Sequence, residues 1–354
     1  MPTQTDQASY DIAIQHYNRA ITLKPTYAQA YNYRGIAYSH KCEIDRAIED
    51  FSTAIRRKEN YAEAYSNRGG AYRLKGEYDR SIEDCNTAIR LDPDLPEAYN
   101  NRGIVYKLKG EIDRAIEDYN TAIALNPNYT YAYYNRGVAY CHRHDDISIA
   151  EDLNRAIENF NKVIELNPNY LRAYAAVSDT HYELGTYYYA EGNDDLAIKN
   201  YTQAIQLQPE YFEAYQSRGT AYLDKREYDL AIKDYTKAIE LNPNLHLYLY
   251  NNRGNAYAQK GKYELAINDY NKAIKVESDL ADALYDAETY YNRGMVFVRL
   301  QEWEKAKEDL TTAKDKQENI IIEQFRKEYE NIAALEQKHE IKLPEDIAAL
   351  LTSP

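Results

Sequence analysis

The sequence predicts an all-α fold: a solenoid of repeated helix-turn-helix units, with no single deep core. Two observations predict it. The first is a recurring Asn-Arg-Gly or near relative: YNYRG at 31–35, YSNRG at 65–69, YNNRG at 99–103, YYNRG at 133–137, YQSRG at 215–219, YNNRG at 250–254 and YYNRG at 290–294. Gly35, Gly69, Gly103 and Gly137 are 34 residues apart, and Gly185, Gly219, Gly254 and Gly294 follow after 48, 34, 35 and 40. A period of that length marks stacked supersecondary units. The second is composition, with 39 Tyr against five Phe and one Trp. Tyrosine buries a ring and keeps its hydroxyl at a wet edge, which suits a thin two-layer structure.

Each unit reads as two helices. In 62–95, AEAYSNRGGAYRLKGEYDRSIEDCNTAIRLDPDL, the residues Ala64, Tyr65, Arg68, Gly69 and Tyr72 fall at helical spacing. Gly76 breaks that helix. Tyr78, Ile82, Cys85, Ala88 and Ile89 form the apolar stripe of the second. Asp92-Pro93 closes the unit, because the residue before proline is pushed out of the helical region. A glycine inside a helix costs about 1 kcal/mol relative to Ala, so its recurrence needs a shared return. Close approach of the partner helix is the physical candidate. Ala47, Ala115, Ala156, Ala197, Ala231, Ala266 and Ala306, with Ser81, form the small column expected to face it.

This order of aromatic, Gly, Tyr, Ala, aromatic, Ala and Pro resembles the tetratricopeptide repeat (TPR) family over almost the entire chain. Eight full units are expected across 28–320: 28–61, 62–95, 96–129, 130–170, 178–211, 212–245, 247–280 and 287–320. The closing proline is replaced by Glu59, Ser278 and Glu318, and the family's leucine before the glycine is Arg in all units but the one with Leu184. Residues 1–27 carry only a second helix, a half repeat with Ala13, Tyr17, Ala20 and Pro25 in register. Residues 321–354 read as C-terminal capping helices. There Ile322, Phe325, Tyr329, Ile332 and Leu335 predict one helix of roughly 20 residues. Leu343-Pro344-Glu345-Asp346 then starts a short last one. The resemblance implies a right-handed αα superhelix whose first helices line a concave face where an extended peptide lies.

The residue two before each glycine is expected to face that groove. It is Asn67, Asn101, Asn135, Asn252 and Asn292, interrupted by Tyr33, Glu183 and Ser217. A carboxamide offers an acceptor and two donors, so it can pair with a peptide N–H and C=O together. The row resembles the asparagine ladder of the glycosyltransferase that carries such repeats; repeat duplication alone would also copy a polar column. The family's clamp for a C-terminal carboxylate is not rebuilt. Its first-lysine places hold Asn32, Ser66, Asn100, Tyr134, Tyr182, Gln216, Asn251 and Tyr291, although Arg73 and Lys107 fall near the groove wall. Acidic-tail recognition is therefore disfavoured. Arg34, Arg68, Arg102, Arg218, Arg253 and Arg293 share their units with Asp50, Asp84, Asp118, Asp234, Asp269 and Asp309. These are expected to form structural ion pairs, the arginine stems packed on tyrosine.

After Tyr140 the insertion CHRHDDISIAEDL offers Cys141, His142, His144, Asp145 and Asp146. Neighbours on one helix cannot converge on a single ion, so a polar loop and no metal are expected. Cys85 shares its column with Phe51, Tyr119 and Tyr235 and reads as core. No phosphate loop, dinucleotide fingerprint or catalytic constellation is placed, so neither enzyme activity nor a cofactor is expected. A net charge of −14 argues against nucleic acid and anionic membrane surfaces. Three widely spaced cysteines and an N-terminus without a basic-then-apolar pattern point to the cytoplasm. The expected function is a protein-interaction scaffold that binds a partner's peptide segment in the groove. The alternative is a self-assembling structural protein that forms homo-oligomers through its terminal helices.

Overall fold

The structure is a computed structural model describing residues 4–143, 148–242, 247–277, 283–317 and 319–352. Twenty helices and no strands occur among the described residues. They fall into two compact units, 1–180 and 181–354. The first holds α1 (Gln4–Leu23), α2 (Ala28–His40), α3 (Ile44–Arg57), α4 (Ala62–Leu74), α5 (Tyr78–Leu91), α6 (Pro96–Leu108), α7 (Ile112–Leu125), α8 (Thr130–Cys141), α9 (Ile149–Leu166) and the start of α10 (Leu171–Ala190). The second continues with α11 (Asp194–Leu207), α12 (Phe212–Asp224), α13 (Tyr228–Leu241), α14 (Leu247–Gln259), α15 (Tyr263–Glu277), α16 (Ala283–Arg299) and α17 (Trp303–Lys316). Three short helices end it: α18 (Ile320–Glu328), α19 (Ile332–His339) and α20 (Glu345–Thr352).

Within each unit consecutive helices pack as pairs, and each pair packs on the next, giving an all-α solenoid. The boundaries have local causes. First helices end in a left-handed residue, as at Gly76 (φ +78°) and Gly110 (φ +80°), where only glycine avoids a Cβ penalty. Second helices end in an extended residue whose N–H still reaches back, as from Asp92 to the Ala88 carbonyl at 2.8 Å. Proline then forbids another turn.

The arginine–aspartate expectation is met in six repeats. Arg102 donates from Nε and Nη2 to both oxygens of Asp118, at 2.9 and 2.6 Å, and from Nη1 to Asn86 of the preceding second helix at 2.6 Å. Arg34, Arg68, Arg218, Arg253 and Arg293 repeat the two-pronged grip on Asp50, Asp84, Asp234, Asp269 and Asp309. Their third nitrogens reach Asn18, Ser52, Thr202, Thr236 and Asn271. Five of these six guanidinium groups also lie between two tyrosines, Tyr99 and Tyr106 for Arg102 at 5.7 and 5.8 Å, and that of Arg293 lies over Tyr290. Asp118 is buried, and desolvation pushes its carboxyl up despite the arginine.

The partner helix approaches the glycine column closely, as expected, but the small column is not what lies nearest. A Cβ on Gly103 would sit 2.8 Å from the ring of Tyr119, and only then 3.2 Å from the Ala115 carbonyl oxygen. Gly35, Gly137, Gly185 and Gly254 meet Phe51, Phe160, Tyr201 and Tyr270 in the same way. The opposing layer in these repeats is therefore an aromatic ring, one turn beyond the small column; Gly69 meets Cys85 and Gly294 meets Leu310 there. The alanines lie behind it, buried completely at Ala47, Ala115 and Ala156.

The C-terminal helix also needs correction. The stripe Ile322, Phe325, Tyr329, Ile332 and Leu335 spans α18 and α19, not one helix of 20 residues. Tyr329 is extended (φ −135°, ψ 140°), and Asn331 accepts from the Ala334 N–H at 2.9 Å to start α19. An asparagine cap satisfies a donor that a continuing helix would bond internally. The Tyr329 hydroxyl meets Arg299 at 3.1 Å and His339 Nε2 at 2.7 Å, fixing the bend from both sides. Pro344 precedes α20 instead of opening it; its carbonyl accepts from Ala348 at 3.0 Å.

Two outcomes follow from this packing. Gly103→Ala gains helix propensity of about 1 kcal/mol but overpacks a completely buried ring, at a cost of about 1–3 kcal/mol. Chemical denaturation should show net destabilisation. Arg102→Met strands the buried Asp118 carboxylate, a loss of about 3–5 kcal/mol at neutral pH. A carboxyl whose folded pKa is raised favours folding below its unfolded pKa and loses that contribution as pH rises through the folded value. The Arg102→Met deficit, measured by thermal melting, should therefore shrink toward pH 4; unchanged stability at neutral pH rejects the pairing.

Candidate peptide groove

First helices also touch one another. In the first unit α2 packs on α4, α4 on α6 and α6 on α8; in the second α12 packs on α14 and α14 on α16. The five predicted asparagines sit on these helices, but no carboxamide faces the groove alone. Asn67 donates from Nδ2 to Asn32 Oδ1 at 3.0 Å, Asn135 to Asn100 Oδ1 at 2.9 Å, and Asn292 to Asn251 Oδ1 at 3.2 Å. Asn101 donates to the Ser66 hydroxyl and carbonyl at 3.1 and 3.2 Å. Each bond crosses from one first helix to the previous one. Asn67, Asn101, Asn135 and Asn292 remain half-buried; Asn67 and Asn135 keep a second N–H beside the one spent on that bond, whereas Asn292 also hydrogen-bonds Glu288. Asn252 recedes furthest, at 7% exposure, within reach of the Tyr235 hydroxyl.

The column one residue earlier was missed as a partner. Asn32, Ser66, Asn100 and Asn251 are all buried, although the sequence places them in the groove. Their signal was available as small polar residues 35 before the next asparagine in the first unit, and 41 before it for Asn251. Even the interruption obeys it: Ser217 lies 3.5 Å from the Tyr182 hydroxyl, in the same pair of columns.

In the second unit the groove deepens into a pocket of about 430 Å³. Asn255, Glu288, Asn292 and Arg299 line it from the first helices, and Lys327 and Glu328 from α18. Arg299 is tied to Glu328 at 2.5 Å. Burial raises the Glu288 carboxyl, with Lys327 opposing.

In the insertion, Cys141 lies 3.5 Å from the Thr180 hydroxyl, and His142 Nδ1 lies 2.8 Å from the Val138 carbonyl of its own helix. His144, Asp145 and Asp146 lie outside the described residues. The residue that anchors this segment was not singled out from sequence. It is Asp152, buried at the start of α9 near Arg143 (3.5 Å) and Arg155 (3.8 Å). Cys85 is buried completely, its thiol pushed up to about 12 by desolvation. Among the described residues no helix is long and apolar enough to cross a membrane.

Family models match along the chain. One described as TPR repeat covers 5–41, 69–110 and 185–225. Others described as Tetratricopeptide repeat cover 96–129, 212–245 and 248–280, then 118–157 and 150–170. Among solved structures, the C-terminal part of a TPR repeat-containing protein from Cytophaga hutchinsonii is 21% identical, with a TM-score of 0.53 over 71% of this chain and 95% of that one. YrrB, described as a TPR protein with an unusual peptide-binding site, is 22% identical over 56% of this chain and 95% of its own, at a TM-score of 0.42. MamA is 30% identical over 51% and 91%, at 0.39. The first of these supports the fold alone. No match was found among curated proteins.

Proposed function

Since the chain belongs to the tetratricopeptide repeat family, we propose that it is a protein-interaction scaffold whose first-helix groove binds an extended segment of a partner protein. One observation carries this reading. The groove carboxamides of Asn67 and Asn135 spend one N–H on the neighbouring helix, and that of Asn101 is fixed there by bonds to the Ser66 hydroxyl and carbonyl. Held in this way, each keeps a fixed orientation and leaves its oxygen, and in Asn67 and Asn135 a second N–H, for a ligand backbone. Preorganised polar groups lose little entropy on binding. Asn252 supports the same row from a more buried place. Three cysteines, none in a disulfide, suit a reducing cytoplasmic setting.

Serine at these positions tests the reading without dismantling the stack, because Ser217 already occupies one of them. Asn67→Ser, Asn101→Ser and Asn135→Ser combined should weaken a captured peptide at least about tenfold, equivalent to about 1.4 kcal/mol. The melting temperature should stay near wild type. Equal affinity by fluorescence polarisation moves the site out of the groove.

Self-assembly through the N-terminal helix is the second reading. It draws on Ile12 and Leu23 of α1, which are 56% and 79% exposed. If α1 is the contact, Ile12→Glu with Leu23→Glu lowers the mass seen by light scattering to that of one chain. A mass that is the same before and after the change excludes α1.

A further inference from the structure

We propose that Arg73, Lys107 and the Tyr119 hydroxyl form a carboxylate site in the groove of the first unit, filled by an acidic group of the bound peptide. This rests on the groove reading above and adds the chemistry of the ligand.

The site begins with an anomaly of charge. The chain carries 57 acidic residues against 43 basic ones. Lysines elsewhere find them: Lys75 reaches Asp45 and Lys109 reaches Asp79, both at 2.8 Å. Arg73 and Lys107 are half-buried neighbours, yet neither forms an ion pair among the described residues. Desolvation lowers both, and Arg73 lowers Lys107 further by repulsion. A cation in the last turn of a helix is favoured by the helix dipole, and both residues occupy that turn, in α4 and α6. The dipole does not explain two polar atoms beside them. Arg73 Nε and the Tyr119 hydroxyl are buried without a hydrogen-bond partner among the described residues, and Asp118 and Arg73 are the charged neighbours of that hydroxyl. A buried donor left unpaired costs about 1–3 kcal/mol, which a bound acceptor would return.

Access is provided by Gly70. Ile36, Ile104 and Val138 hold its place in neighbouring repeats. Unlike Gly69, whose added Cβ would meet Cys85 at 2.8 Å, Gly70 would meet only the Asn101 carboxamide at 3.7 Å. Packing does not require it, so its missing side chain leaves a notch. Asn67, Gly70 and Arg73 succeed one another at intervals of three on one face of α4. Asn101 and Lys107 share the corresponding face of α6. A peptide backbone held by the asparagines would therefore bring a side chain or its terminus to the two cations. Guanidinium, ammonium and phenol together suit a planar acceptor with two oxygens.

Selection from random peptide libraries on the full-length chain tests this. One library has free carboxyl termini and the other has its termini fused to the carrier. Enrichment of Asp or Glu at one peptide place in both libraries identifies a side chain; recovery only with free termini identifies the terminal carboxylate. In either case Arg73→Gln/Lys107→Gln should lower affinity about tenfold or more, the worth of a charge-assisted hydrogen bond. It should melt no lower than wild type, since a repulsion is removed. Gly70→Ile, which keeps both charges and fills the notch, should give the same loss. Acid-free peptides that bind wild type and both variants equally overturn the carboxylate site and leave the groove reading intact. Recovery of no peptide by any form overturns both.

Discussion

The arginine two-pronged on aspartate is the constraint on which the rest of the stack depends. A buried carboxylate is costly unless its oxygens are matched by donors. In six repeats one guanidinium supplies Nε and Nη2 to that carboxylate, then turns Nη1 onto the preceding second helix. Three helices are thereby set by one planar group whose geometry has little freedom. The tyrosines on either side hold the plane, which accounts for the composition that first marked the sequence. Two repeats depart from this. Arg136 meets Asn159 at 2.8 Å, and the repeat with Leu184 uses His181 against Asn200 at 3.0 Å. Desolvation lowers Arg136, since a neutral carboxamide cannot offset its burial. The division between the compact units falls at these neutral repeats, between Thr180 and His181.

Much of the fold was legible because repetition turns weak residue preferences into columns. The helix pairs, the Arg–Asp pairing and the core place of Cys85 all follow from position within a 34-residue period. What repetition does not encode is direction. Side chains on a helix tilt toward its N-terminus, so the layer opposite a glycine is offset from the layer at equal height. Gly103 consequently faces Tyr119, four residues after Ala115. The C-terminal stripe failed for another reason. Outside the repeats no column supports a reading, and helical spacing persists across Tyr329 although the backbone there is extended. Asn331 was the signal, a cap placed inside an apparent helix.

The groove was half legible. Its asparagines were found by their column, but their hydrogen bonds run to a second column read only as the places of the clamp's first lysine. The two roles compete for the same atoms. A carboxamide that bonds the next helix loses one donor, yet a flexible amide pays rotamer entropy on binding that a held one does not. The row thus serves stacking and recognition together. This explains how serine fits at one position: Ser217 retains the helix contact through its Tyr182 neighbour while giving up reach into the groove.

Backbone hydrogen bonding of this kind carries little information about which peptide is bound, because every residue presents the same N–H and C=O. Selectivity must come from places where the repeats differ. In the first unit the repeats differ beside the polar row, at Gly70, Arg73 and Lys107, which leave two positive charges and an unpartnered hydroxyl in a chain of net charge −14. Repulsion from the acidic surface is screened beyond about 10 Å at 0.1 M salt, so an acidic peptide is discouraged only close to that surface and favoured once seated. That ordering penalises acidic segments whose backbone does not fit and accepts those that do. Specificity then arises from the conjunction of the asparagine row and the cation pair, and neither alone would supply it.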